Sequence, residues 1–346
     1  MRLLCRQEAY RGRGRLKVIR IALDAMGGDH APSVEIEGAR LALADLPPTF
    51  EVHLIGQPEV IERELAQHPG IERSRVVIHE APDVIGMAEK PLEAVRRKPK
   101  SSLMVGIGLH AKGTVDAFIS AGNTGAILAA STIVLGLHPG VQRATLAALF
   151  PTANGPMLVL DEGANVDCVP KELVGFARLG SLYMADVIGI DRPKVGLLNI
   201  GEEDKKGGVV VREAYELLKA TDSINFIGNV EGRDLLAGHA KFGHVDVAVC
   251  DGFVGNILLK FYESVGALMH RLMERGDGSA LEHPDVRRAF HFLDYSQYGG
   301  GPLLGVKGVT IICHGTSPAN AIKHAIRVAV HSVEVNLDQH IGAEFA

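Results

Sequence analysis

Six segments of the chain have the residue types and spacing to do chemistry. Each is an apolar run that breaks into glycine plus Asn, Asp, Ser or Thr. The first carries Asp24, Gly27, Gly28, Asp29 and His30, and the second Ser120, Gly122, Asn123, Thr124 and Gly125. The third carries Asp161, Glu162, Gly163 and Asn165; the fourth Asn199, Gly201, Glu203, Lys205 and Lys206. The fifth carries Gly228 and Asn229, and the sixth Asp251, Gly252, Gly255 and Asn256. Glycine lets backbone N–H groups approach an anion, and a following helix N-terminus adds positive potential. Phosphate is the ligand that suits such loops. The same residue types also make ordinary turns and helix caps.

Charge for an anion could come from Lys205, Lys206, Lys260 or Arg143. Lys206 falls between a strand end and a helix start. Lys260 follows Asn256 by one helical turn, so both can face one site. Each lysine is otherwise a solvated surface charge. Asn123 and Asn256 can donate through their amides to an oxyanion, or cap a helix. Asp24, Asp29, Asp161 and Asp251 have the chemistry to hold Mg2+, but turns and caps explain them as well, and no metal is assigned.

Rival motifs are weak. Gly106, Gly108 and Ala111 satisfy a GxGxxA string, but no clear strand precedes them and no ribose-binding acid follows about 20 residues on. No Gly-Lys pair occurs, so a P-loop is absent, and HExxH is absent too. Cys313 and His314 are chain neighbours and would point to opposite faces of a strand. Cys250 ends an apolar run and reads as core. Four cysteines lie far apart with no CxxC pair, which indicates neither a disulfide framework nor a zinc site.

These loops need strands to place them. Apolar runs at 18–23, 51–55, 75–79, 115–119, 157–160, 195–200, 245–250 and 309–312 read as buried strands. Helical patterns lie between several of them, at about 172–186, 257–273 and 318–335. Ile257, Phe261, Val265, Leu268 and Leu272 form one stripe of the second, for which core packing is the leading expectation. A slot for an apolar substrate, a dimer contact or a membrane contact are the alternatives, shared with 274–298. Repeated β-α-β units predict an α/β fold with a mostly parallel sheet and helices on both faces. In such a sheet all six loops would share the carboxyl edge.

Composition bounds the rest. Apolar residues are 47% and charged residues 22% of 346, typical of a globular chain. No run is long and apolar enough to read as a membrane span, and no export signal is visible, so the cytosol is expected. Residues 1–17 carry six basic residues against one acidic, a net of +5. The whole chain is −5, so the remainder carries −10, which argues against nucleic acid as a partner. Residues 1–17 read as a disordered extension and 18–346 as one domain.

Taken together, DAMGGDHAP (24–32), SAGNTGA (120–126), LDEGAN (160–165), LLNIGEEDKKG (197–207), FIGNVEGRD (226–234), CDGFVGN with ILLK (250–260) and HGTS (314–317) resemble the bacterial phosphate acyltransferases. These are the acyl-carrier-protein:phosphate transacylases of phospholipid synthesis. The resemblance runs in order from about Val18 to Val335. It implies a Rossmann-like three-layer α/β/α sandwich similar to the isocitrate and isopropylmalate dehydrogenases, usually homodimeric. It implies acyl transfer from acyl carrier protein to inorganic phosphate, without a cofactor, feeding a downstream membrane glycerol-3-phosphate acyltransferase. The family's catalytic lysine falls on Lys206 and its asparagine on Asn256; these would serve phosphate or oxyanion charge and oxyanion hydrogen bonding. The loop residues above, with Lys260 and His314, would form the phosphate and substrate rim. Peripheral membrane association is a further implication. The basic run Arg96, Arg97 and Lys98 could dock the acidic carrier protein or be a solvated surface. Arg143 lacks the proline that follows it in the family, which weakens its case. Three alternatives stay open: an acetyltransferase-like enzyme using acyl-CoA, a non-catalytic scaffold for carrier protein and membrane, and a dehydrogenase of the same fold.

Overall fold

The computed structural model describes residues 18–274, 283, 284, 286 and 299–346. The basic extension 1–17, and nearly all of 275–298, lie outside the described residues.

Eleven strands form one sheet. They are β1 (Ile19–Asp24), β2 (Phe50–Gly56), β3 (Val76–Glu80), β4 (Ala117–Ser120), β5 (Thr145–Thr152), β6 (Gly155–Leu160), β7 (Lys194–Leu198), β8 (Asn225–Val230), β11 (Val247–Val249), β12 (Gly301–Leu304) and β13 (Val309–Ile312). A small hairpin, β9 (His239–Ala240) and β10 (Gly243–His244), stands apart. The sheet order is β3-β2-β1-β4-β13-β12-β5-β6-β11-β7-β8. Both faces are buried, as the doubly apolar strands require. On one face Ile21 and Leu23 pack with Ile36, Ile322 and Ile326. On the other, Ala22 and Phe118 pack with Ile107 and Ile127. The result is a helix–sheet–helix sandwich.

Strand direction departs from the simplest reading of the sequence. β3, β2, β1, β4 and β13 run parallel to one another, and so do β6, β11, β7 and β8. Between the two groups β12 pairs antiparallel with β13 and β5, and β5 pairs antiparallel with β6. Three reversals make the two parallel groups run in opposite directions. The six loops therefore do not share one edge. They end two half-sheets that point toward each other.

Register shows where those ends meet. Ser120 is level with Ile312, and Ile312 with Gly301. Further along, Leu303 is level with Leu146, whose neighbour Ala147 is level with Leu160. The last residues of β4 and β6 thus stop at nearly the same level from opposite sides. β5 and β12 bridge the junction, and a cleft opens above them.

β5, β8 and β12 lie outside the eight apolar runs; β8 is the edge strand, and β5 and β12 are the two at the junction. β5 holds alanines and Pro151, and β12 is only Gly301, Pro302, Leu303 and Leu304. Gly and Pro read as turn signals. Here the junction of two half-sheets, not propensity, makes them strands.

The GxGxxA string lies inside the helix Ser102–Ala111, where a Cβ on Gly106 would press into the Phe118 ring. It is a packing glycine. The long helix Gly252–Glu274 forms as expected, but its stripe does not pack in the core. Ile257, Phe261, Leu268 and Leu272 are each more than half exposed, while Leu259 and Tyr262 face inward. No helix among the described residues is long and apolar enough to cross a membrane.

Candidate active site

The cleft holds a cavity of about 360 Å3. From the first half-sheet it takes Thr124, Gly125 and His314; from the second, Glu162, Gly163, Ala164, Asn256 and Lys260. The rest of its lining is largely apolar: Leu128, Leu146, Leu149, Phe150, Leu259, Tyr262, Leu303 and Ile312. The lining offers both groups that can meet an anion and surface that can bury hydrocarbon.

The first turns of two helices contribute to the lining. Asn123 caps the helix Thr124–Val134, its Oδ1 accepting from Ala126 N at 3.1 Å. Its Nδ2 donates to the carbonyls of Met87 and Glu89, both at 3.0 Å. Asn123 thereby pins the 86–89 segment. Asp251 accepts from Val254 N at 2.9 Å and caps the helix Gly252–Glu274. The positive ends of both dipoles favour negative charge in the cleft.

Asp161 anchors the loop between the half-sheets. It is fully buried and accepts from Thr145 Oγ1 (3.2 Å), Leu146 N (2.9 Å), Asn165 N (2.5 Å) and Asn165 Nδ2 (3.0 Å). The helix carrying Asn256 sits directly on this loop. A Cβ on Gly252 would come within 2.8 Å of Asp161 Oδ2, and one on Gly255 would collide with the Asp161 carbonyl oxygen. Those two glycines bring Asn256 against Gly163, whose added Cβ would lie 3.4 Å from the Asn256 Cβ.

Lys260 and His314 share one carboxylate. Glu263 lies 2.9 Å from Lys260 Nζ through Oε2 and 3.2 Å from His314 Nε2 through Oε1. Burial holds the His314 imidazole below its ordinary range, opposed by Glu263.

The loop with Asp24 leaves the end of β1 and lies against the loop after β4. Ser120 Oγ donates to Asp24 Oδ2 at 2.7 Å, and Gly122 N donates to Ser120 Oγ at 3.0 Å. A Cβ on Gly27 would lie 2.7 Å from Asp24 Oδ2 and 2.9 Å from Gly122 N. Asp29 N donates to the Gly315 carbonyl at 2.9 Å, which ties this loop to the segment after β13. A Cβ on Gly28 would collide with Glu35.

Burial pushes Glu35 up to about 7, with Asp24 and Asp29 adding repulsion. A raised carboxyl binds its proton more tightly folded than unfolded. Stability linked to Glu35 is therefore full below the ordinary value near 4.5 and falls as pH rises toward 7. The loss is ~3 kcal/mol at most. Glu35→Gln is expected to flatten that decline between pH 5 and 7.5 in urea unfolding. An unchanged slope would contradict it.

The second half-sheet carries a separate loop cluster. Lys206 Nζ lies 3.8 Å from Glu203 Oε2, half exposed. Asn199 Nδ2 donates to the Lys206 carbonyl at 3.1 Å, and Asn229 Nδ2 to the Glu203 carbonyl at 2.9 Å. Both asparagines hold the 199–207 loop in shape. Gly201 lets the Lys206 stem lie close, 3.0 Å from where its Cβ would be. Lys206 does not line the cavity. Arg143 also stays outside, bound to Glu172 at 2.8 Å. Arg96 and Arg97 are exposed at the end of the helix Pro91–Arg97, whereas Lys98 is held by Glu89 at 2.6 Å and the Val84 carbonyl at 2.7 Å. Among the described residues no three His, Cys, Asp or Glu side chains converge as metal ligands.

The chain matches, over residues 19–340, the family described as "Fatty acid synthesis protein". A phosphate acyltransferase of Desulforamulus reducens is 47% identical over 328 residues, covering 92% of this chain and 95% of the relative. The chain belongs to the phosphate acyltransferase family. A phosphate acyltransferase of Thermosynechococcus vestitus agrees, at 45% identity over 334 residues and 94% of each chain. The fold of the chain is also that of a phosphotransacetylase from Streptococcus pyogenes. The two superpose with a TM-score of 0.64 over 92% of this chain and 94% of the other, at 16% identity. That likeness is one of fold.

Glu162 was legible as part of the LDEGAN run, yet nothing in the sequence separates it from Asp161 as a cavity residue. Phe150 and Tyr262 gave no signal, because β5 was not recognisable and Tyr262 lies off the exposed stripe.

Proposed function

We propose that the enzyme transfers a long acyl chain from acyl carrier protein to inorganic phosphate, releasing acyl phosphate and free carrier thiol. The observation that carries this is the mixed lining of the cavity, polar groups together with an apolar surface. Two helix N-termini, Asn256 and Lys260 suit phosphate and a developing oxyanion, and the apolar wall suits a fatty chain. Asn256 donates to the oxyanion, and Lys260 and His314 meet the phosphate. Lys206 supplies charge from the adjacent loop and must approach the cleft to do so. The reacting unit is 18–346.

Release of free thiol from palmitoyl-carrier protein, palmitoyl-CoA and acetyl-CoA, each with and without phosphate, tests the reading. Phosphate-dependent turnover of the palmitoyl thioesters is expected. Turnover of acetyl-CoA alone would favour an acetyltransferase-like enzyme, and turnover of none a scaffold.

Exposed Arg96 and Arg97 are the proposed docking point for the acidic carrier. Replacing both by Glu is expected to raise KM for palmitoyl-carrier protein about tenfold, in line with ~1.4 kcal/mol of lost attraction. KM for palmitoyl-CoA should not change, and an equal change for both would refute the assignment.

The exposed stripe Ile257, Phe261, Leu268 and Leu272 supports homodimerisation and peripheral contact with a membrane, where a glycerol-3-phosphate acyltransferase would consume the product. Sedimentation and flotation of the full chain with anionic vesicles test both; a monomer that ignores vesicles refutes them.

A further inference from the structure

Glu162 and Asp161 are adjacent carboxylates with opposite surroundings. Asp161 is saturated by hydroxyl, amide and backbone donors. Glu162 is 3% exposed, and among the described residues neither of its carboxyl oxygens has a hydrogen-bond partner. Yet it lines the cavity beside Asn256 and Lys260. An ionised carboxylate left without donors in a buried site is costly, so the neutral acid is its stable form. Asp161 and Glu263 reinforce this by repulsion, and Lys260 opposes it. Glu162 lies close enough to the Cys250 thiol for its charge to bear on it, and His314 is held on Glu263. An apolar side chain would fill the same space at lower cost. A buried, neutral, unpartnered acid in the lining of a reaction cleft is suited to giving a proton away.

We propose that Glu162 is a further catalytic residue, the proton carrier of the acyl transfer. The proposal rests on the phosphate acyltransfer reading. An oxygen of HPO4(2−) attacks the thioester carbon, so a C–O bond forms and the C–S bond breaks. The leaving thiolate takes the Glu162 proton and departs as thiol. The Glu162 carboxylate then takes the remaining proton of the attached phosphate. Acyl phosphate dianion and thiol are formed, and Glu162 returns neutral. Lys260 and His314 each pair with Glu263, whereas the Glu162 carboxyl, among the described residues, is held by no donor.

The test uses two thioesters of one fatty acid. One leaves as an alkyl thiol, palmitoyl-CoA. The other leaves as a nitrothiophenolate, which needs no proton. Glu162→Gln is expected to slow phosphate-dependent release from palmitoyl-CoA by ~10²–10⁴-fold and to slow the aryl thioester less than tenfold. Equal slowing of both, or no slowing of palmitoyl-CoA, would overturn the proposal. If the variant does not fold, the unaltered enzyme decides. A solvent deuterium isotope effect on kcat with palmitoyl-CoA, absent with the aryl thioester, is expected, and equal effects would overturn it. Failure of the underlying reading looks different: the unaltered enzyme would then release no thiol from either ester in response to phosphate.

Discussion

Asn256→Ala is expected to lower kcat for phosphate-dependent thiol release by ~10²–10³-fold, the usual loss on removing one oxyanion donor. KM should change little on the proposed role, because an oxyanion donor serves a charge that develops only in the transition state. The side chain lies at the cavity, one turn into a helix whose positive end favours negative charge there. Its neighbour across the cleft floor is the Gly163 backbone, so truncation leaves room for water and no collapse. Stability should be nearly unchanged, since the residue is exposed. Steady-state kinetics on palmitoyl-carrier protein check this. A rise in KM at constant kcat would show that Asn256 binds substrate uniformly and has no oxyanion role.

Gly255→Val is the second large effect, and it acts through geometry. A side chain at 255 would run into the Asp161 carbonyl oxygen, an atom of the backbone that cannot step aside. The helix must lift, at a cost of ~3 kcal/mol. Lifting also displaces Asn256, and ~1 Å of misplacement can cost ~10²-fold in rate. Gly175 is the control. It lies in the helix Pro170–Asp186 with nothing near its absent Cβ. Gly175→Ala is expected to stabilise by ~0.5–1 kcal/mol with unaltered kinetics. Denaturant unfolding and kcat of both variants check the pair. A Gly255→Val enzyme with native stability and rate would show that the helix does not rest on the Asp161 loop.

Much of this site could be read before the fold was known, and the reason is local. Thr124, Gly125 and Asn256 stand in Gly-rich segments that follow apolar runs, with Lys260 one helical turn after Asn256, and strand ends place such segments at clefts. Asn123, Asn199 and Asn229 were legible as polar loop residues, but sequence cannot say where an amide points. All three turn to backbone carbonyls. The opposite sense of the two half-sheets was not legible. It depends on β5 and β12, whose Ala, Pro and Gly composition carries no strand signal. The stripe on 257–272 has the period of a buried helix, and periodicity reports an apolar face without saying what covers it.

The most direct test of the central claim follows the phosphate itself. The enzyme would be supplied with palmitoyl-carrier protein and radiolabelled inorganic phosphate, and the lipid product and free thiol counted together. The account predicts label in palmitoyl phosphate, one per carrier thiol released, and no thiol without phosphate. Thiol release with the label left wholly in inorganic phosphate would mean hydrolysis by water, and would contradict the reading of the cleft as a phosphate-accepting acyltransfer site.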